Sequence, residues 1–466
     1  MRSIASLCVL SVLSAAAAIA ADKAPAKPAG NPWHDLTVSP RAIERPLMKY
    51  RLMPAEYELH DGNAAPILLR LPWEQTPYFA NEVPKLSEYL DLPLNSPQFQ
   101  GNDVFPFFRR IKSAAYRKTA DWQYPIGEQP FGDILLPDIQ GARSVVGHGL
   151  SAWIRQRLAQ GKLDEAREGI RVGLAVVRHY GRTPFAITQL VCCAVDSMFV
   201  ARIAELVSQP GSPNLYWALT QLPRPLVDVR PSIEMEERFL QMTVPGLDDL
   251  RQIRTKEEWT GRALAVIQFF RESDQAARIE PRGNATAFER VVKAARVDLP
   301  AWTDGGAKRV EEMSDGEAAL RWLLDVYNDL MGERAVVGSM DPPLAFPRLA
   351  EVHTRIKDFQ AAMGVQKSYM MIAIVNSYIA PHKLEREIDA LRIVEALRHY
   401  AAGHGSRLPE SLDKITDLPI PNDPFTGKPF HYEVKDGVAT LSGDTVPLPD
   451  PDREPAAIRY AVRIRK

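Results

Sequence analysis

Apolar residues recur at three- and four-residue steps through most of the chain, and at two-residue steps only near its end. Leu163, Ala166, Ile170, Leu174 and Val177 share one face of a helical wheel, and Asp164, Glu165, Arg167, Glu168 and Arg171 occupy the other. That is an amphipathic helix with one buried side. From Phe185 to Val207 the apolar positions (Phe185, Ile187, Leu190, Val191, Val195, Phe199, Ile203 and Leu206) leave no polar side, which predicts a helix in the middle of a bundle. Ser314-Asp315-Gly316-Glu317 has the spacing of a capping box and predicts a helix start leading through Trp322, Val326 and Leu330. Met370 to Ile379 is apolar but too short to span a bilayer, and Pro381 then predicts a break before an amphipathic helix from Leu384 to Ala402 that Gly403 and Gly405 stop. After it, Phe430, Tyr432 and Val434 alternate with His431, Glu433 and Lys435. Lys435-Asp436-Gly437 makes a hairpin turn, Val438 to Leu441 returns, and Ile458, Tyr460, Val462 and Ile464 form a further strand. Three antiparallel strands on one helix predict a small α+β unit.

Composition adds a compartment. Arg2, the apolar run Ile4 to Ala17 and Ala18-Ile19-Ala20 read as a secretory leader over residues 1–20, so the mature chain is expected to start near Ala21 and to be periplasmic or secreted. Residues 21–32 mix Ala, Lys, Pro and Gly and read as a disordered lead-in. The rest divides, on pattern, into a helical domain over 33–380 and the α+β module over 381–466, which is expected to fold by itself. The 38 prolines fall between the periodic runs, as short interhelical connections require. With 57 basic and 58 acidic residues the chain is balanced, which argues against nucleic acid as a partner. Outside the leader only Cys192 and Cys193 remain, too few for a disulfide framework.

Three resemblances follow. Trp153 to Ala159 with Leu158-Ala159-Gln160-Gly161-Lys162-Leu163-Asp164-Glu165-Ala166 resembles the helix-turn-helix of a tetratricopeptide repeat, and Asp61-Gly62-Asn63-Ala64-Ala65-Pro66 resembles the junction entering one. No sustained repeat period accompanies them, so irregular helical hairpins are expected. The 384–402 helix, Leu408-Pro409-Glu410-Ser411-Leu412 and the run Asn422-Asp423-Pro424-Phe425-Thr426-Gly427-Lys428-Pro429-Phe430 resemble the globular head of a type II secretion pseudopilin. Those heads follow an N-terminal assembly helix, whereas this one follows several hundred residues, so the likeness implies a head-like fold and not polymerisation. Gly62-Asn63-Ala64-Ala65, Pro213-Asn214-Leu215-Tyr216-Trp217-Ala218-Leu219 with Leu222-Pro223-Arg224-Pro225, and the Asp423 turn are similar to a group of uncharacterised exported helical proteins of planctomycete-type bacteria. That likeness implies a source and no mechanism.

Candidate chemistry is sparse. The nine histidines show no His-Glu-x-x-His, and His399 and His404 stand five apart across a helix end, so no metal site is assigned. Gly147-His148-Gly149-Leu150-Ser151 lacks the central serine of a nucleophile elbow and reads as a turn opening a helix. Glu234, Glu236 and Glu237 offer carboxylates, read as acids favouring a helix N-terminus after Pro231-Ser232. Cys192 and Cys193 read as buried thiols and Asp423 as a turn cap, while the resemblance to pseudopilin heads implies Asp423 and Asp436 as calcium candidates. Asp196, inside the apolar helix, is expected to meet an arginine from a neighbouring helix. No residue is assigned a catalytic, cofactor-binding or metal role. The expected protein is mainly α, of irregular hairpins with a C-terminal α+β module, and acts as a noncatalytic envelope scaffold that docks another protein. A hydrolase of envelope polymers using Asp196 or Glu234, or a carbohydrate-binding protein, is the alternative.

Overall fold

The computed structural model describes residues 34–75, 78, 81–126, 141–244, 246–247, 249–253, 255–272, 274, 283–366, 369–446 and 457–465. The predicted leader, lead-in and cleavage point lie outside them.

The fold is mainly helical with a small sheet. It opens on β1 (His34–Val38), β2 (His60–Asn63) and α1 (Ala65–Glu74), followed by α2 (Phe108–Ala115) and β3 (Arg117–Thr119). A wide helical run, Ala142–Leu150, then enters α3 (Ser151–Ala159) directly. Next come α4 (Leu163–Tyr180), α5 (Ala186–Val207), α6 (Tyr216–Thr220) and α7 (Arg230–Glu237). The turn between α3 and α4 is closed by Gly161 at φ +71°, a conformation that costs a β-carbon residue energy. A second group follows: α8 (Phe239–Thr243), α9 (Lys256–Glu272), α10 (Gly283–Trp302), α11 (Gly306–Glu312), α12 (Asp315–Gly338) and α13 (Pro342–Ala362). The chain ends with α14 (Tyr369–Gly403), β4 (His431–Lys435), β5 (Val438–Ser442) and β6 (Arg459–Ile464).

The apolar periodicity sorts these elements into two cores. One joins Leu36 through Val227 with Leu384 through Val462; the other joins Leu240 through Ile379 and takes Phe425 from the terminal segment. Helix α14 belongs to both, with Val375, Tyr378 and Ile379 in the second core and Leu384, Leu391 and Leu397 in the first. The terminal segment therefore packs with the N-terminal helices, and most of the second core comes from described residues between 240 and 379. Helix α14 also runs unbroken through Pro381, where a break was expected. Packing at both ends outweighs the hydrogen bond that a proline removes.

The sheet also differs from the three strands expected. Its order is β1-β6-β5-β4, with β4–β5 and β5–β6 antiparallel and β1 parallel to β6 in the register His34↔Tyr460 to Val38↔Ile464. Leu36 and Val38 alternate with exposed neighbours and turn inward, so the first described strand closes the last sheet. The β4–β5 turn is as expected: Asp436 and Gly437 both have positive φ (51° and 75°), the two-residue geometry that matches strand twist. At α12, Ser314 Oγ accepts from Glu317 N–H at 3.2 Å, but the Glu317 carboxylate turns to Arg321 Nε at 3.0 Å, so half of the expected capping box forms. Among the described residues no helix is long and apolar enough to cross a membrane.

Candidate functional site

The most elaborate polar construction is a ladder of charges along α14. Arg386, Asp389, Arg392, Glu395 and Arg398 follow one another at three-residue steps with alternating sign, and all five are buried. Arg386 pairs with Asp423 at 2.5 Å and donates to the Asp444 carbonyl. Asp389 accepts from Arg392 Nη1 at 2.8 Å and from Arg224. Arg392 also donates to Thr220 Oγ1 at 3.0 Å and lies over the Tyr216 ring. Arg398 and Glu395, both 0% exposed, pair at 2.9 Å. Arg398 goes on to donate to the Ser212 carbonyl and Oγ, to the Pro213 carbonyl and to the Ser39 carbonyl.

Two of these pairs, Asp389 with Arg392 and Glu395 with Arg398, lie within α14, and the other contacts tie it to distant stretches of chain. Asn214 completes the knot: its Nδ2 donates to the Arg41 carbonyl at 3.0 Å and the Glu395 carbonyl at 2.9 Å, while its Oδ1 accepts from Tyr216 N–H. The motif Pro213-Asn214-Leu215-Tyr216 is thus a set of clamps on α14. Burial pushes the Glu395 carboxyl up against the downward pull of Arg398, whereas the side-chain hydrogen bond to Asp389 raises Arg224. A buried ion pair of this kind fixes geometry more than it adds stability, since desolvation offsets most of the attraction.

The Asp-Pro turn joins the same construction. Asp423 Oδ1 accepts from Phe425 N–H at 3.0 Å, as a turn cap should, and its other oxygen holds Arg386. Phe425 is carried into the second core, where it stacks on Phe346 at 5.1 Å with Arg386 over its other side. Asp423 is therefore taken up by an arginine, and Asp436 stands apart in the β4–β5 turn. Among the described residues no group of three or more His, Cys, Asp or Glu could hold a metal ion.

The structure scatters the remaining candidates. Asp196 is 2% exposed, its Oδ1 has no hydrogen-bond partner, and among the described residues no arginine pairs with it. The expected pair is thus corrected to a lone acid, and burial pushes its carboxyl far up, so that it avoids the cost of a buried charge by keeping its proton. Cys192 and Cys193 are buried and form no disulfide; Cys192 Sγ donates to the Val177 carbonyl, and burial raises the Cys193 thiol. Glu236 lies in the last turn of its own helix rather than near an N-terminus. Its Oε1 caps α5 by accepting from Ala186 N–H at 3.0 Å, and its Oε2 pairs with buried Arg334 at 2.5 Å. Glu234 and Glu237 are exposed on α7.

His399 accepts from Ile43 N–H at 3.1 Å and faces Asp417 at 2.6 Å, whereas His404 stacks on Tyr400 at 3.8 Å, so the two serve different contacts. Gly147 to Ser151 is no turn: it belongs to the wide helix Ala142–Leu150 and its continuation into α3. A β-carbon at Gly149 would meet the Phe105 ring at 2.7 Å, which accounts for the glycine by close packing. Arg334 and Ser377 line a pocket between α7, α12, α13 and α14, walled by Val229, Ile233, Leu349 and Val352. Its empty space, mouth included, is about 280 Å³, below the ~300–1,000 Å³ usual for small-molecule sites.

Sequence reasoning passed over the ladder, although its signal, alternating charge at steps of three, stands in plain sight from 386 to 398. Chemically, carboxylates already holding guanidinium or backbone donors are poor general bases. No family model matches the chain, and neither a curated protein nor a solved structure matches it.

Proposed function

We propose that the chain is an exported, noncatalytic scaffold of the cell envelope whose C-terminal sheet docks another protein. The observation that carries this reading is the ladder: five buried charges on α14 fasten the sheet-bearing end to segments at 39, 212–214, 220–224, 423 and 444, an arrangement suited to holding a recognition surface rigid. Strand β4 stands at the edge of the sheet with His431, Glu433 and Lys435 exposed, and an edge strand is a usual place for a partner strand to add. On this reading β4 to β6 with α14 form the pseudopilin-like head, β1 is its added fourth strand, and α3 with α4 is a single tetratricopeptide-like hairpin. The leader over residues 1–20 directs the chain to the periplasm or beyond.

The test is double. The mature protein is screened on peptidoglycan, polysaccharide and peptide substrates, and a photo-crosslinker replaces Glu433 in cells. The expected result is no turnover, with cross-linking to one envelope protein from position 433 and none from exposed Val297. Turnover that a folded Glu234→Gln variant lacks would overturn the scaffold reading in favour of a hydrolase.

A further inference from the structure

At the C-terminal end of α4, Arg178 in the last turn and Arg182 just beyond it carry guanidinium groups that pair with no carboxylate among the described residues. Arg178 and Arg182 follow at a four-residue step, and Arg182 Nη1 donates to the Lys118 carbonyl at 2.7 Å. Lys118 itself is held by Asp61 at 2.8 Å. Arg178 is half-buried, and its Nε and Nη2 are shielded from water with no hydrogen-bond partner. Those two atoms form the edge of a guanidinium that presents two parallel N–H bonds to an oxyanion.

The same chain uses that edge elsewhere. Arg348 holds the two oxygens of Glu333 with Nε at 2.6 Å and Nη2 at 2.8 Å, and Arg230 holds those of Asp228 at 2.8 Å and 2.7 Å. The dipole of α4 favours basic residues at its C-terminus. It does not satisfy two N–H donors turned away from water, a vacancy that costs more for a charged group than for a neutral one. Burial and the neighbouring Arg182 both disfavour charge on Arg178, and an anion placed there relieves both. The acid whose charge acts on it is exposed Glu56, followed along the chain by Tyr57, which is 82% exposed.

We propose that Arg178 and Arg182 form a binding site for an oxyanion, a phosphate or a carboxylate, at the C-terminal end of α4. Arg178 supplies the two-donor edge, and Arg182 adds charge from the exposed side. The site is separate from the sheet edge, so it stands whether or not a partner docks there.

Titration calorimetry on the mature protein, at constant ionic strength, uses inorganic phosphate in one arm and glucuronate in the other. Saturable one-site binding of phosphate alone assigns a phosphate ligand, of glucuronate alone a carboxylated one, and of both an oxyanion site without further selectivity. Arg178→Gln is expected to weaken the bound probe about tenfold or more, and Arg182→Gln about threefold. Arg178→Lys keeps the charge, loses the paired edge and should weaken binding nearly as much as Arg178→Gln. It also serves if the glutamine variant fails to fold. No saturable binding of either probe, or wild-type affinity in a folded Arg178 variant, would overturn the proposal.

Discussion

Asp196 gives the sharpest quantitative test of the packing. In the folded chain its carboxyl is buried, Oδ1 is unbonded, and burial alone drives its pKa far up. In the unfolded chain it returns to about 3.9. Above that pH the unfolded state releases a proton that the folded state keeps. Stability attributable to this group is thus fully present below the unfolded value and is lost as pH rises towards the folded one, at about 1.4 kcal/mol per pH unit. Asn is close in shape to the protonated acid and carries no proton to lose. Asp196→Asn should match the wild type near pH 4 and gain on it by about 1.4 kcal/mol between pH 5 and pH 6, continuing until the native carboxyl ionises. Urea unfolding followed by tryptophan fluorescence at half-unit pH steps measures the difference directly, provided the m-values agree. Contributions from other titrating groups are common to both proteins and cancel. An Asn variant less stable by about 3–5 kcal/mol at every pH would show instead a charged, paired carboxylate, and the account of a lone neutral acid would fail.

Arg398→Met should cost about 3–5 kcal/mol in urea unfolding, because it leaves Glu395 at 0% exposure without its partner, and adding Glu395→Leu should restore part of that loss; a neutral single variant would contradict the ladder. His179 is 0% exposed and burial lowers its pKa from 6.5 to about 4, so stability is complete above pH 6.5 and falls by about 3 kcal/mol as pH drops to 4, an acid limb that His179→Leu should flatten. A fragment from 381 to 466 should stay unfolded by circular dichroism, since it cuts α14 and leaves Asp389 without Arg224 and Arg398 without Ser212 and Ser39; a folded fragment would show that the terminal module is separable. Gly443→Ala should destabilise by about 1–3 kcal/mol in thermal melts, because its methyl would fall on Arg386 Nη2 and Asp423 Oδ2; an unchanged melting temperature would show that this ion pair can yield.

Helices were legible where a periodic run was long. The faces of Leu163 to Val177 and Phe185 to Val207 contain enough turns for a 3.6-residue repeat to declare itself, and both appear as α4 and α5. The β4–β5 hairpin was legible because Asp436-Gly437 names its own turn. Strand β1 was not. It spans five residues with two inward apolar positions, and its partner β6 lies more than four hundred residues away, so neither local pattern nor a turn announces the pairing. Asp196 was legible as an anomaly, and its environment was not, because a helical pattern shows which residues are buried and never which side chains face them.

The ladder on α14 shows how a local pattern can be read and its consequence still missed. An amphipathic reading of 384–402 leaves the charged side to solvent, which holds only if the charges keep to one side. They do not. A helix turns about 100° per residue, so each three-residue step falls back about 60°, and the four steps from Arg386 to Arg398 sweep roughly 240° of the helix surface. No single solvent-facing stripe can hold five residues spread so widely, and a helix packed on two cores must bury most of them. The alternation of sign then follows from the same spacing, since residues three apart are neighbours and opposite charges there neutralise each other, as Asp389 with Arg392 and Glu395 with Arg398 do. What the spacing could not supply is the outer half of each contact. Ser212, Pro213, Thr220, Arg224 and Asp423 come from distant stretches, and only folding brings them to α14. The ladder is therefore a set of long-range connections written in local spacing, and its length measures how much of the chain must be in place before the sheet it carries is fixed.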